Sequence, residues 1–274
     1  MRCARIWIAA ALYVSLNVVT AARAAEPRME DVAFTAKCDK TEQRYVAIYP
    51  AGFKAKEPHD LLIALHGHGS DRWQFARTAI DEATSARDVA AAHHMLFVSP
   101  DYRKCTSWMG PKAEADVVQI IDELKARYRI GKVIVCGGSM GASSALTFAA
   151  IHPERVDGVA AMNGTANHLE YDKFQDAIAE SFGGTKARIP REYKKRSAEY
   201  WPERLTMPVG IAVGGKDDVV PPASAIRLAG ILKKLQPNVL LIVREAGGHT
   251  TSYADGKEIL EFVLRKAGIK EPGK

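Results

Sequence analysis

The chain has 274 residues, of which 47% are hydrophobic and 26% charged, with 21 Gly, 13 Pro and 4 Cys; this mixture excludes intrinsic disorder and collagen-like repeats and fits a packed globular protein. The 38 basic residues outnumber the 32 acidic ones for a formal charge of +6. Without zinc-finger spacing or an aromatic stacking module, that excess makes no case for a nucleic-acid partner.

Residues 1–25 read as a secretory signal. Arg2 and Arg5 supply a basic start, 6–19 a short apolar run, and Ala22-Arg23-Ala24 a small-x-small cleavage pattern. The apolar run is too short for a comfortable membrane span, so the expectation is a secreted or periplasmic bacterial protein with no stable membrane insertion after cleavage. Loss of Arg2, Arg5 and Arg23 leaves 35 basic against 32 acidic groups, a charge of +3. Residues 26–274 are long enough for one broad domain. Cys3 leaves with the signal, and the remaining Cys38, Cys105 and Cys136 cannot all pair internally. Export keeps a Cys38–Cys105 bridge open, whereas Cys136 sits in an apolar run and reads as a buried small hydrophobe.

Along the rest of the chain, short apolar runs alternate with amphipathic ones. Strands are predicted at 44–49, 61–65, 95–98, 133–136, 156–162, 209–213 and 239–243, and helices at 72–91, 113–128, 139–151, 223–235 and 253–266. This alternation predicts an α/β fold, a sandwich with a mostly parallel central sheet covered by helices on both faces. The interval 163–206 exceeds an ordinary strand-to-helix connection and carries aromatic and basic residues, which makes it a candidate lid beside a substrate entrance. Its cluster Arg188, Arg191, Lys194, Lys195 and Arg196 reads as a solvated helix face.

Chemistry-bearing residues fall at the ends of these strands. Gly137-Gly138-Ser139-Met140-Gly141 is a G-x-S-x-G sequence between a predicted strand and a predicted helix, a tight turn that projects a serine hydroxyl above the sheet. Ser139 is therefore the candidate nucleophile. A serine needs a base, and His249 follows the last predicted strand through Glu245-Ala246-Gly247-Gly248. The acid comes from Gly214-Gly215-Lys216-Asp217-Asp218; Asp217 is preferred as the earlier loop position, with Asp218 left open. The turn His66-Gly67-His68-Gly69-Ser70 after the 61–65 strand can offer the His68 N–H opposite that of Met140 as an oxyanion hole. Its two histidines lack a third ligand, so no metal is expected. Tyr102, Trp108, Tyr171 and Trp201 are candidates for an apolar or sugar-stacking rim, and Asn163 for holding an active-site loop.

Taken together, these segments resemble the α/β-hydrolase family, especially its single-domain secreted esterases of the feruloyl and acetylxylan type and the polyhydroxyalkanoate depolymerases, over approximately residues 44–267. The serine, acid and histidine segments occur in that family's order. The resemblance implies Ser139 as nucleophile, Asp217 as orienting acid, His249 as base, the His68 and Met140 amides as oxyanion donors, and no cofactor. Val213-Gly214 departs from the His-Gly pair of many relatives, and the loop from Pro100 to Gly110 looks like a substrate-side loop of the same group. The expected activity is hydrolysis of small esters or ester decorations of polysaccharides through an acyl-serine. The alternatives are a serine peptidase of the prolyl-oligopeptidase-like type and a noncatalytic binding protein on the same fold.

Overall fold

The computed structural model describes residues 26–270, so the leader expected at 1–25 lies outside the described residues. Within them, one eight-stranded sheet runs in the order β1-β2-β4-β3-β5-β6-β7-β8. Its strands are β1 (Arg28–Thr35), β2 (Glu42–Tyr49), β3 (Pro58–Leu65), β4 (Leu96–Pro100), β5 (Arg129–Gly138), β6 (Gly158–Met162), β7 (Val209–Gly214) and β8 (Val239–Arg244). From β4 through β8 all neighbours are parallel, while β2 is antiparallel to both β4 and β1. The helices are α1 (Trp73–Arg77), α2 (Asp81–Ala92), α3 (Pro111–Arg127), α4 (Met140–Ile151), α5 (Gln175–Phe182), α6 (Pro190–Lys195), α7 (Ala223–Leu235) and α8 (Tyr253–Lys266).

Alternation along the strands explains the two covered faces. Leu62, Ala64, Ile134, Cys136, Ala160 and Met162 pack with the apolar residues of α2 and α8. Leu61, Ile63, Val133, Val135, Val159 and Ala161 pack with those of α3, α4 and α7. Each fully buried Leu or Ile contributes about 2 kcal/mol of transfer free energy, and a one-residue slip would turn either set to the wrong face. That register brings the carboxyl ends of β3, β5, β7 and β8 to one edge, where parallel sheets gather their functional loops.

Two features depart from the sequence expectations, whereas the interval 163–206 is helical, as a lid candidate would be. Strand β1 was not foreseen, because only every second residue is even half-buried and its RMEDVAFT sequence carries three charges. The helix expected over 72–91 is broken into α1 and α2: Thr78 and Ile80 are extended, and the Arg87 guanidinium holds the break by donating to the carbonyls of Phe75 and Thr78 at 2.7 and 3.1 Å. The interval 163–206 forms α5, α6 and 3-10 turns at Ala198–Tyr200 and Pro202–Arg204, with Tyr171, Ile178, Phe182 and Tyr193 buried against the core.

The basic cluster of this cap requires a correction. Arg188, Arg191, Lys194 and Lys195 are exposed as expected, but the Arg196 side chain is fully buried. Its guanidinium donates to Glu114 and Glu192, both at 2.7 Å, and to the Met109 carbonyl at 2.5 Å. A buried guanidinium is retained only with such partners, so Arg196 fastens the cap to α3. The cysteines among the described residues are free, Cys38 and Cys105 exposed and Cys136 buried, and the bridge left open above is not formed.

Candidate active site

The site is built on the turn between β5 and α4. Ser139 has φ 55° and ψ −118°, a strained conformation for a non-glycine residue that costs on the order of 1–3 kcal/mol. Close packing holds it: a Cβ on Gly141 would lie 2.6 Å from the Leu65 carbonyl carbon and 2.8 Å from the His66 oxygen. Glycine there lets the nucleophile turn press onto the end of β3. The Ser139 N–H is fixed by the Met162 carbonyl at 2.8 Å.

His249 reaches this turn from the loop after β8. Its Nε2 lies 2.8 Å from Ser139 Oγ and its Nδ1 2.6 Å from Asp217 Oδ2. Asp217 is buried at 5% exposure, and its other oxygen accepts the Val219 and Val220 amides at 2.9 and 2.8 Å. Asp218 is exposed, and its backbone carbonyl accepts from Lys173. The structure thus brings Asp217, not Asp218, to the histidine. With the carboxylate on Nδ1, the tautomer presents a bare Nε2 to the serine hydroxyl, the form a general base needs.

Asn163 joins the two loops that carry acid and base. Its amide nitrogen donates to Thr251 Oγ1 at 2.8 Å, and its oxygen accepts the Gly214 N–H at 2.9 Å. Gly214 is needed beside it, since a Cβ there would lie 2.7 Å from the Gly247 oxygen.

The two amides expected to serve as oxyanion donors, those of His68 and Met140, lie in the loop after β3 and at the start of α4. Met140 is the first residue of α4, where the N–H has no acceptor a turn below. In the β3 loop, Gly67 N–H donates to Gln74 Oε1 and Gly69 N–H to the Cys105 carbonyl, both at 2.7 Å. Lying between them, the His68 N–H has no such acceptor among the described residues. His66 is buried, with its ring nitrogens 2.9 and 3.2 Å from the Gly67 and Asp101 carbonyl oxygens; burial lowers its pKa, which keeps it a neutral strut of this loop.

The aromatic rim differs from the expectation. Tyr102 and Trp108 are 1% and 0% exposed, so neither can stack on a substrate at the surface. The Tyr102 hydroxyl donates to the His66 carbonyl at 2.6 Å, and the Trp108 indole N–H donates to His68 Nδ1 at 3.1 Å; both brace the loop that follows β3. Tyr171 is also buried and donates to the Val219 carbonyl at 3.1 Å. Trp201 has its indole N–H on the Lys194 carbonyl and its ring under Arg204, contacts within the cap rather than at the triad. The exposed aromatic at the site is Phe174, at 38% exposure, with its ring 4.3 Å from that of His68. Its position at the start of α5 with φ 55° left no periodic signal. Because Trp108 donates to Nδ1 of a ring whose pKa burial lowers, His68 is neutral with its proton on Nε2.

Among the described residues, no group of three or more His, Cys, Asp or Glu side chains is placed to hold a metal, and no helix is long and apolar enough to cross a membrane. The arrangement of Ser139, His249 and Asp217 is that of a serine esterase triad, able to attack a carbonyl and pass through an acyl-serine.

Residues 60–199 match the family described as alpha/beta hydrolase fold. Comparison with curated proteins gives no match. Among solved structures, an S-formylglutathione hydrolase from Agrobacterium tumefaciens is 16% identical with a TM-score of 0.67, over 90% of this chain and 96% of that one. A ferulic acid esterase from Anaeromyces mucronatus, in complex with ferulic acid, is 16% identical with a TM-score of 0.64, over 89% and 92%. A Bacteroides ovatus protein described as a dipeptidyl aminopeptidase IV is 16% identical with a TM-score of 0.68 over 88% of this chain, which spans only 36% of its length. At these identities the likeness is one of fold.

Proposed function

This chain belongs to the alpha/beta-hydrolase family, and we propose that it is a carboxylic-ester hydrolase of the bacterial periplasm or medium, acting on small esters or on ester decorations of polysaccharides. The observation that carries the reading is the continuous relay from Asp217 through His249 to Ser139, with contacts of 2.6 and 2.8 Å.

His249 takes the Ser139 proton as Oγ attacks the ester carbonyl, and the His68 and Met140 amides receive the oxyanion of the tetrahedral intermediate. Collapse passes the proton from His249 to the departing alcohol and leaves an acyl-serine. Water, activated by the same imidazole, releases the acid and restores the hydroxyl. The Asp217 carboxylate keeps the imidazole oriented through both halves.

An ester rather than a peptide is supported by the coverage of the Agrobacterium hydrolase and the Anaeromyces esterase along almost their whole lengths. The exposed Phe174 ring and the neutral His68 edge favour an acyl group with an apolar or planar surface. Intact-protein mass spectrometry during turnover of acetyl, butyryl, feruloyl and peptide substrates tests the reading, with S139A as control. A transient acyl mass on the native serine, absent from S139A, is the expected result; turnover of peptides alone, or no adduct and no product from any ester, overturns it.

A further inference from the structure

The loop that follows β4 concentrates left-handed backbone. Tyr102 and Arg103 have φ 30° and 92°, and Trp108 and Met109 φ 45° and 57°. Side chains rarely tolerate such angles, and they persist only where surrounding contacts over-determine them.

This loop grips the backbone on both sides of His68. The Asp101 carbonyl oxygen lies 3.2 Å from His66 Nε2, and the Tyr102 hydroxyl donates to the His66 carbonyl at 2.6 Å. Beyond His68, the Gly69 N–H donates to the Cys105 carbonyl at 2.7 Å. The His68 ring itself accepts from Trp108 at 3.1 Å. The peptide that carries the His68 N–H is thus suspended between points that the β4 loop fixes.

The β4 loop is tied down in turn. At its start, Arg72 donates to Asp101 from its backbone N–H at 2.9 Å and from its guanidinium at 3.0 Å; at its end, Ser181 of α5 donates to the Ser107 carbonyl. Lys104 pairs with Glu180 at the surface, where an ion pair contributes little. Between these ties stands Arg103. Its guanidinium donates to Asp116 of α3 at 2.8 Å, and in the turn between β1 and β2 to Asp39 at 3.0 Å, Thr41 Oγ1 at 2.8 Å and Cys38 Sγ at 3.1 Å.

As a source of stability this clamp is poor. Arg103 Nε and Asp116 Oδ2 are buried without a hydrogen-bond partner among the described residues. Burial pushes the Asp116 carboxyl up to about 6, although Arg103 pulls it down. A buried ion pair with unmatched atoms is weak grounds for stability, and the geometry it enforces is the other reason to keep it.

We propose that Arg103 is a positioning residue for the oxyanion: by fixing the left-handed turn at 102–103 against α3 and the β1–β2 turn, it sets the groups that hold the backbone on either side of the His68 N–H. The proposal rests on the reading of that amide as an oxyanion donor. Arg103 acts through Asp101, Tyr102 and Cys105, and its loss should leave the relay from Asp217 to Ser139 in place.

A donor displaced by a fraction of an ångström lets substrate bind but meets the developing charge poorly. Arg103→Gln removes the charge and the fork that spans two carboxylates. It is expected to lower kcat about ten- to hundredfold with KM within about twofold. A trifluoromethyl ketone, whose serine adduct carries the same oxyanion, should bind more weakly by the same factor. Arg103→Lys keeps a point charge but not the fork, so both losses should be smaller and still parallel. Tyr102→Phe removes the hydroxyl on the His66 carbonyl. Because both residues act on one loop, the double variant should lose less than the product of the single losses.

The experiment measures kcat and KM for p-nitrophenyl acetate, inhibition by an alkyl trifluoromethyl ketone, labelling by a fluorophosphonate and melting temperature, on the native protein, R103Q, R103K, Y102F and R103Q/Y102F. Parallel losses of kcat and of ketone affinity at steady KM, with the two sites coupled, support the proposal. A lower melting temperature with native kcat and inhibition overturns it, leaving Arg103 a packing role. A rise in KM at constant kcat, a loss of kcat that the ketone does not share, or fully multiplicative losses overturn it as well, and all leave the hydrolase reading standing. If the native protein neither labels nor hydrolyses, the hydrolase reading fails and this inference with it. Should R103Q not fold, R103K decides on the same readouts.

Discussion

The catalytic edge of the sheet and the cap that follows β6 are built by opposite means. At the edge, Ser139, Asp217 and His249 stand on short turns whose geometry is set by backbone contacts: Gly141 against Leu65, Gly214 against Gly247, and the paired amides on Asp217. The cap is held by side chains that cross long sequence distances, with Arg196 on Glu114 and Thr147 on the Arg196 carbonyl at 2.6 Å. A site that must keep atoms within a few tenths of an ångström uses the stiffer construction. The cap is fastened at Glu114 and Thr147, by contacts separate from those that join Ser139, His249 and Asp217.

The sharpest way to break this contrast is at the edge, where loss of one atom should remove chemistry and leave the fold. Ser139→Ala is expected to lower kcat/KM by at least about 10⁴-fold, with an unchanged circular dichroism spectrum and melting temperature as the check. Asp217→Asn should come next, with a loss of about 10³- to 10⁴-fold as the wrong tautomer is favoured. Asp218→Asn should stay within about threefold, because that side chain is exposed and only its backbone carbonyl is engaged. Equal losses in steady-state assays of the two asparagine variants would show that the buried placement of Asp217 does not decide the acid.

The same division explains what was legible in the sequence. Glycine turns after apolar runs have local signatures, and Gly137 to Gly141 announced the nucleophile turn without any knowledge of its partners. The separation of Asp217 from Asp218 was not local: it depends on which carboxylate meets His249, 32 residues further along the chain. Arg196 looked like its exposed neighbours because its partners Glu114 and Met109 lie more than 80 residues earlier. Tyr102 and Trp108 read as a rim for a similar reason, since an aromatic in a loop carries no periodicity to say that it points inward. Phe174 belongs to the site only through Trp108 and His68, contacts no spacing rule reveals.

The cap offers the complementary break, stability without chemistry. Arg196→Ala leaves the Glu114 and Glu192 carboxylates without their shared cation and should cost about 3–5 kcal/mol, read as a fall in the urea midpoint. Substrate turnover by the fraction that remains folded should change far less. Acid should reach the same region. Burial, together with the nearby Arg196 and Lys186 charges, lowers the pKa of His168 from 6.5 to about 3. Its neutral form therefore favours the folded state, a contribution present above about pH 6.5 and lost progressively as pH falls toward 3. Glu114 adds a lower window: burial pushes its pKa up, but the hydrogen bond from His152 and the charge of Arg196 outweigh it and bring it from 4.5 to about 2, so its contribution is lost between those values. Melting temperatures measured across pH should decline below about 6.5, and His168→Gln should flatten the upper part of that decline.

The smallest effects should appear at the rim, and they separate the two aromatics that could be confused for one another. Phe174 is exposed with its ring against His68 in the loop after β3, so Phe174→Ala removes apolar surface beside His68 and nothing from the relay. Its expected signature is a three- to tenfold rise in KM for esters with a large apolar or aromatic acyl group, about 1 kcal/mol of lost contact, with kcat nearly unchanged and acetyl esters unaffected. Trp201 is fixed by Lys194 and Arg204 within the cap, so Trp201→Ala should shift stability slightly and leave KM for both ester classes within about twofold. Kinetics on a matched acetyl and feruloyl pair would read both variants. A larger KM change for Trp201 than for Phe174 would move the substrate entrance from the His68 wall to the far side of the cap.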